Sequence, residues 1–247
     1  LTGITVEVAT DAAKLLALRP VKAYKQTTAG SVVQDLLSGA GAAPGPVEPG
    51  VSLPFYALDG SRSAFHHIHE LALASGCDAY VGADNRLVFA RWTGGTGTPV
   101  PFLYGDTIMA LETDRAETTP AGAQVAGEGA AGTKGAGKWH WLVKDQSLVQ
   151  GKAGSGARLL VAPSLRSAEA AQSLASSVTG LAARRAVSGT LRAVGSPSAT
   201  LGKAIAVAGT PGGALDGIYQ IRRVRHWLSA ETGFITEIDF IGAGGVA

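Results

Sequence analysis

The residues best suited to metal binding or acid–base chemistry form one short cluster, made of His66, His67, His69 and Glu70. If this segment is helical, His66 and His69 share a face and could hold a metal ion together. The zinc-protease motif has two histidines four residues apart with a glutamate beside the first, and the sequence lacks this order. The alternative is that the histidines cover the solvated side of a helix whose apolar residues are buried. Both interpretations stay open at this point.

Two glycine-rich stretches match nucleotide-binding motifs only in part. Residues 132–138 contain the lysine of a phosphate-binding loop, but Trp139 stands where a serine or threonine should hold magnesium. Residues 127–132 fit the glycine pattern of dinucleotide-binding proteins. Both motifs require a strand before the glycines and a helix after them, because the helix N-terminus binds the anion. A strand is predicted to follow here, so we predict no nucleotide cofactor.

The other candidates for catalysis lack the partners that they would need. Cys77 follows the residue that ends a predicted helix, whereas thiol activation needs a helix N-terminus or a neighbouring base. Glu112 and Asp114 share one face of a predicted strand, and nothing marks them as an acid–base pair. The segment 154–156 is shorter than the nucleophile elbow of hydrolases. We therefore predict no catalytic residues, no metal and no cofactor.

Arg222, Arg223 and Arg225 form a basic stripe in one predicted strand. Strict alternation along this strand would place Arg223 on the same face as Tyr219 and Ile221. A solvated strand face is the simplest interpretation. The alternative is a basic interior that faces an anionic polymer in the lumen of an assembly.

The composition excludes several classes of protein. At roughly 150 residues per domain, the 247 residues predict one or two domains, and 46% hydrophobic residues allow a sizeable core. A formal net charge of +2 argues against a basic nucleic-acid binder, and one cysteine excludes an internal disulfide or a multi-cysteine zinc site. No apolar run approaches the roughly 18 residues of a membrane span. The 34 glycines and few charges favour β-rich architecture with tight turns.

Apolar periodicity and turn residues predict an α+β, β-rich fold. The chain begins inside a predicted strand at 3–9 and without a methionine, which suggests that further residues precede it. Helices are predicted after Thr28 and after Ser63, and the second leads into a hairpin with its turn at 82–85. Four prolines and three glycines between residues 40 and 54 predict an irregular loop.

The C-terminal half combines a long helix with a meander of strands. The helix is predicted from Ser167 to about residue 185, after a glycine-rich loop at 127–138. Four strands are predicted after it, at residues 186–194, 203–208, 218–228 and 234–241. Strands of this length preceded by a covering helix favour a small closed or half-closed barrel.

Three stretches of this pattern resemble the phage late control D family, whose members are tail baseplate hubs related to the hub part of VgrG spike proteins. The run 202–238, with turns before Gly217 and at Gly233, resembles the closing strands of that family. Residues 28–39 are placed like its short helix before a glycine-rich loop, and residues 63–89 resemble its helix-plus-hairpin unit. These stretches occur in the family's order along almost the whole chain.

The resemblance implies small antiparallel β-barrel domains of the phage tail hub type, with a helix-plus-hairpin α+β insert. Residues 1–20 would then form the end of a truncated first barrel domain, and residues 21–93 the α+β domain. Residues 102–247 would form the second β-barrel domain, which contains the long helix at 167–185 and the glycine-rich loop at 127–138.

The function that the resemblance implies is structural. Hubs of this family are homotrimers that join the sixfold tail tube to a threefold central spike, in the baseplate of a virion or phage-like contractile injection system. The expected partners are the tail tube protein, the central spike protein and the tape measure protein, with no specific nucleic acid and no membrane insertion. Subunit contacts are predicted at Ile108, Leu111, Tyr219, Ile221, Arg223 and Arg225. Lumen-facing basic residues are predicted at Arg222, Arg223 and Arg225.

A tail-associated cell-wall hydrolase is the alternative function. It is favoured by the His66 and His69 pair and by the lytic domains that some hubs carry. Such a metal-dependent enzyme needs a third ligand, which His140, His226 or a distant carboxylate would have to supply. The two hypotheses therefore differ in whether the fold gathers these histidines into a metal site.

Overall fold

The computed structural model describes residues 9–95, 97–116, 122–127, 149–155 and 158–243. Three predicted features lie outside the described residues: the opening strand at 3–8, the glycine-rich loop from residue 128 onward, and the phosphate-loop match at 132–138. The fold is α+β and strand-rich with a curled half-barrel sheet, which confirms the predicted fold class. In the described part of the chain, no helix is both long and apolar enough to cross a membrane.

The chain divides into two compact units. The first contains Leu1–Arg91, Gln124–Ala153 and Arg158–Ser177, and the second contains Trp92–Ala123, Gly154–Ala157 and Val178–Ala247. The first change of unit, between Arg91 and Trp92, lies close to residue 93, where the predicted α+β domain ends. Gln124–Ala153 and Arg158–Ser177, which the sequence predicts to belong to the second barrel domain, group with the first unit, and the predicted domain boundaries stay a prediction.

The N-terminal part of the first unit contains three helices and five strands. Its elements are α1 (Asp11–Ala17), β1 (Val21–Thr28), α2 (Ala29–Ala40), β2 (Ala43–Val47), β3 (Ser52–Asp59), α3 (Ala64–Ser75), β4 (Asp78–Val81) and β5 (Arg86–Ala90). Strands β1 and β3 form an antiparallel pair. The other sheet has the order β2-β5-β4, with β2 parallel and β4 antiparallel to β5. The predicted helix followed by a hairpin is therefore present.

Helices α2 and α3 begin at their predicted N-cap residues, and each is followed by a glycine cap. The Thr28 hydroxyl accepts a hydrogen bond from the backbone N–H of Ser31 at 3.2 Å, and the Ser63 hydroxyl accepts one from His66 at 3.3 Å. Each helix ends at a glycine in the left-handed conformation, Gly41 at φ 62° and Gly76 at φ 70°. The apolar faces of both helices are buried, which anchors them in the core of this unit.

The region predicted as an irregular loop contains the edge strand β2. Its sequence Ala43–Val47 includes two prolines, which remove backbone donors. The structure accommodates them because β2 has a neighbouring strand, β5, on one side only. Asp11 supplies a further anchor, since its carboxylate accepts a hydrogen bond from the Ala43 N–H at 3.0 Å. The loop prediction was therefore wrong in part: a parallel partner distant in sequence makes this segment a strand.

The remainder of the first unit is a three-stranded sheet with a helix. Its strands are β8 (Gly122–Gly127), β9 (Val149–Gly154) and β10 (Arg158–Ala162), in the order β10-β8-β9. The helix is α4 (Ala168–Arg184), capped as predicted by the Ser167 hydroxyl, which accepts from the Ala170 N–H at 3.2 Å. The Gln172 amide both accepts from the Lys152 N–H at 2.9 Å and donates to its carbonyl at 2.8 Å. A helix side chain thus occupies part of the edge of β9.

The second unit is built on a six-stranded sheet. Its strands are β6 (Val100–Leu103), β7 (Ile108–Arg115), β11 (Val187–Val194), β12 (Ala204–Ala208), β13 (Gly217–Ser229) and β14 (Gly233–Gly242). Their order is β6-β12-β13-β14-β11-β7, with only the β6–β12 pair parallel. One face packs into a buried cluster that includes Leu191, Ile238 and Phe240. The four strands predicted near the C-terminus are all present.

We predict that Gly30→Ala destabilises the first unit. An added Cβ would lie 2.2 Å from the backbone oxygen of Glu48, closer than real contacts allow, so α2 must shift. The free energy of unfolding in urea should fall by about 1–3 kcal/mol. Gly39→Ala is the matched control in the same helix, because its nearest atom would be 3.7 Å away. That variant should gain up to about 1 kcal/mol from helix propensity; equal effects of the two substitutions would contradict the close contact.

Candidate assembly surface

A β-bulge in β13 sets the direction of the side chains in the second half of this strand. Ile221 pairs with Phe240 of β14, but Arg223 pairs with Asp239, so Arg222 is an extra residue without a cross-strand position. Before the bulge, Ile221 is buried in the core. After it, Val224 packs against the same core. The bulge therefore moves Arg223 and its face to the side of the sheet opposite to Ile221.

This bulge corrects the predicted contact residues. Strict alternation would have put Arg223 on the face of Tyr219 and Ile221, and that placement was wrong. Tyr219 and Ile221 are only 8% and 1% exposed, and Ile108 of β7 is 8% exposed. All three contribute to the core of the second unit and are not exposed contact residues there. Leu111 packs partly buried against this core, while Arg223 and Arg225 lie on the surface, where their contact with a partner stays a prediction.

The predicted basic stripe is a set of cross-strand ion pairs. Arg223 Nη2 lies 2.6 Å from Asp239 Oδ2, and the same carboxylate accepts a hydrogen bond from the Thr190 hydroxyl at 3.1 Å. Arg225 Nη1 lies 3.6 Å from Glu237 Oε1. Opposite charges at paired strand positions offset one another and stabilise the sheet modestly. This outer face is thus mixed in charge, and the lumen-facing role of Arg222, Arg223 and Arg225 stays a prediction.

The hairpin formed by β13 and β14 ends in an exposed apolar surface that sequence reasoning missed. Trp227 is 41% exposed and Leu228 is 81% exposed, beside a nearly buried Ile235. Together with charged and hydroxyl neighbours they line an open groove of about 390 Å³, whose walls include Arg192, Ser229, Thr232 and Glu237. Two adjacent large apolar residues just before a predicted turn were the signal in the sequence. Of the two, Trp227 is of the type that commonly anchors protein interfaces.

The histidine cluster is not gathered around a common point. His66 contacts Arg62 at 3.0 Å and Glu70 at 3.4 Å on the surface of α3. His69 packs its ring against Phe65, with 4.7 Å between the ring centroids. His67 points inward. Within the described ranges, no group of three or more His, Cys, Asp or Glu side chains is arranged to hold a metal ion.

His67 is a buried structural residue. It is 6% exposed, and its Nδ1 lies 3.1 Å from the Tyr56 hydroxyl of β3. Burial lowers the pKa of His67, and the nearby Glu70 carboxylate only partly opposes this effect. The neutral imidazole is therefore the form that the core accommodates.

The single cysteine is also poorly suited to act as a nucleophile. Burial raises the pKa of the Cys77 thiol to about 11, with Glu48 adding to the shift. The thiol consequently stays protonated at neutral pH, and thiols are weak nucleophiles in that form. Glu112 and Asp114, the other carboxylates considered for catalysis, lie exposed on β7 at the edge of the six-stranded sheet.

Comparisons with known proteins identify the fold. No protein family and no curated protein matches the sequence. The 43 kDa tail protein of prophage MuSo2 from Shewanella oneidensis is similar in structure, with a TM-score of 0.70 and 12% identity over 94% of this chain and 71% of that chain. The tail protein from Neisseria meningitidis MC58 has a TM-score of 0.66 and 13% identity over 94% of this chain and 72% of that chain.

A third similar structure comes from a particle. A chain in the virion of a native gene transfer agent has a TM-score of 0.61 and 15% identity, and the match covers 89% of this chain and 48% of that chain. At identities of this size, the likeness establishes a common fold. The described residues thus have the architecture of these tail and virion chains, whatever their own role.

Deletion of Arg222 should destabilise the second unit far more than its substitution. Without the extra residue, either Arg223 or the residues before the bulge must turn toward the wrong face. The free energy of unfolding should fall by about 3 kcal/mol or more. Arg222→Ala keeps the bulge and should cost less than about 1 kcal/mol. Comparable losses in urea unfolding would show that the arginine side chain matters rather than the bulge.

We expect the first unit to lose stability as the pH falls below 6.5, because the unfolded chain then binds a proton at His67 that the folded chain resists. The loss should not exceed about 1.4 kcal/mol per pH unit for one group. His67→Gln retains a hydrogen-bonding side chain but does not titrate. Urea unfolding at pH 7.5 and 5.5 should show a smaller difference for this variant than for the wild type. An identical difference would rule out His67 as the source.

Proposed function

We propose that this chain is a structural subunit of a phage tail or phage-like particle. The observation that carries the proposal is the fold, which matches two tail proteins across 94% of the chain. A fold of this extent, in both compact units, constrains function more than any single motif, although fold and function are not equivalent. The location that follows from this proposal is the tail of the particle.

The histidines and the cysteine that could take part in catalysis have packing or surface contacts in the fold, which supports a structural role. His67 is buried against Tyr56, and His66 belongs to a surface network with Arg62 and Glu70. The Cys77 thiol is held in its protonated form. These side chains stabilise local packing or helix surfaces. Consequently, no observation favours the alternative of a metal-dependent cell-wall hydrolase built on His66 and His69.

The finer proposal is that the chain is a baseplate hub. The sequence resemblance to the late control D family supports this role, in which a homotrimer joins a sixfold tail tube to a threefold central spike. The partners would be the tail tube, central spike and tape measure proteins. Exposed sheet edges in both units support self-association, because edge strands left uncovered invite unwanted pairing. The outer face with Arg223 and Arg225 and the hairpin groove beside Trp227 offer further contact surfaces.

Mass measurement tests this proposal directly. Light scattering coupled to size-exclusion chromatography should give three times the mass of the single chain, since closed rings of identical subunits have a fixed copy number. Peptides of this chain should also be found in purified tail particles from the host that encodes it. A stable monomer that is absent from such particles would contradict the proposal.

A further inference from the structure

Each unit of the chain contains a strand with an open edge. In the sheets formed by the described residues, β7 pairs only with β11, and β10 pairs only with β8. An isolated bridge joins Tyr104 to Ile108 at the start of β7, so the open edge begins after Ile108. The backbone groups on the outer side of each strand are therefore not paired within these sheets. Strand edges of this kind bind other strands by backbone hydrogen bonds, and the side chains then determine which strand is accepted.

Both edges expose large apolar side chains. On β10, Leu159 is 62% exposed and Val161 is 72% exposed, and alternation places them on one face. On β7, Met109 is 58% exposed, while Leu111 packs partly buried against the border of the core. Exposed edges with apolar residues are unfavourable for a lone molecule in water. These two strands are therefore better suited to be covered than to remain in solvent.

The two edges differ in charge, since β7 carries two carboxylates and the terminal Arg115, whereas the only charged residue of β10 is an arginine. Glu112 and Asp114 are exposed on β7, and neither forms an ion pair with another described residue. Strand β10 begins with Arg158, which is also exposed. Pairing two β7 strands around these carboxylates would bring like charges together, which is destabilising. The charges thus favour contact between unlike edges.

We propose that β10 of one copy of this chain pairs antiparallel with β7 of the next copy. This inference rests on the proposed function as a self-assembling tail component. One register brings opposite charges and apolar residues together, with Arg158 opposite Glu112 and Leu159 opposite Leu111. Val161 then comes beside Met109, which is the extra residue of a bulge in β7. A parallel arrangement that kept Arg158 beside Glu112 would place Leu160 beside Asp114.

The proposed contact is heterologous, because two different edges meet. Each copy then offers one edge to each neighbour, so the contact can repeat from copy to copy, as the ring of the proposed function requires. The occupant of each edge is therefore a second copy of the same chain. Leu159 of the neighbour would extend the apolar core at Leu111, while the Arg158–Glu112 pair would fix the register from the opposite face.

Disulfide trapping between differently labelled copies tests the register. Directly opposite residues of antiparallel strands have Cα atoms roughly 4.5–5.5 Å apart, within the range that a disulfide spans. The chain has one cysteine, Cys77, which is buried, so background cross-linking is low. A mixture of Arg158→Cys and Glu112→Cys copies should form a covalent dimer on mild oxidation. Neither variant alone should do so.

A neighbouring position supplies the matched control for trapping. Thr113→Cys replaces the residue next to Glu112, whose side chain points to the opposite face of β7. Mixed with Arg158→Cys, this variant should give at least 10-fold less cross-linked dimer. Equal trapping at both positions would overturn the proposed register.

Charge reversal tests the same contact without cysteines. Glu112→Arg or Arg158→Glu alone should weaken self-association about 3- to 30-fold, since an attractive cross-strand pair becomes repulsive. The double variant that carries both changes should recover to within about 3-fold of the wild type, because every contact regains opposite charges. Asp84→Arg, in the exposed turn between β4 and β5, is the control and should leave association unchanged.

The outcomes separate the edge pairing from the broader function. Trimers that form normally but show neither the specific cross-link nor the charge-reversal rescue would overturn the edge pairing and leave the structural role standing. A chain that stays monomeric at every concentration would overturn both. Cross-linking within a single variant would also overturn the proposal, since it requires contact between like edges.

Discussion

Successive side chains of a β-strand point to opposite faces of its sheet, so one extra residue reverses the face of every residue after it. This constraint determines where the side chains of the second unit lie. Residues before Arg222 in β13 direct their apolar side chains into the core, and one extra residue lets Val224 do the same after it. The arginines that follow are thereby placed on the outer face, opposite the acidic residues of β14. Core packing and surface electrostatics in this sheet both depend on the bulge.

Close contact between backbones is a second constraint on the sequence. An added Cβ at Gly151 would lie 2.2 Å from the backbone of Ala171, and one at Gly189 would lie 2.2 Å from the carbonyl oxygen of Glu112. In the first case a strand meets a helix, and in the second two strands meet. Glycine is needed because any side chain would separate these elements. The high glycine content therefore reflects packing as well as turns.

The features of this protein that are available for recognition lie on its surface. Side chains that suggested chemistry are used for packing or for surface ion pairs, as His67 and His66 illustrate. What remains for recognition is a set of strand edges, a charged sheet face and an apolar hairpin end. Such surfaces are suited to binding other proteins, which is what the proposed structural role requires.

Local signals in the sequence determined a large part of the fold. Thr28, Ser63 and Ser167 cap helices because their hydroxyls satisfy the first free N–H groups, a short-range effect that a sequence reveals. Alternating apolar residues and glycine turns likewise predicted the C-terminal strands and the hairpin after α3. The resemblance to tail hubs came from the order of these same elements.

Only the tertiary structure decided which residues face the core and which face solvent. The bulge at Arg222 requires β14 beside it, and β2 becomes a strand because β5, some forty residues further along the chain, pairs with it. The exposed edges of β7 and β10 also depend on the order of strands in each sheet. These features arise from pairing between distant segments, and hydrophobic periodicity within one segment does not report which partner it will meet.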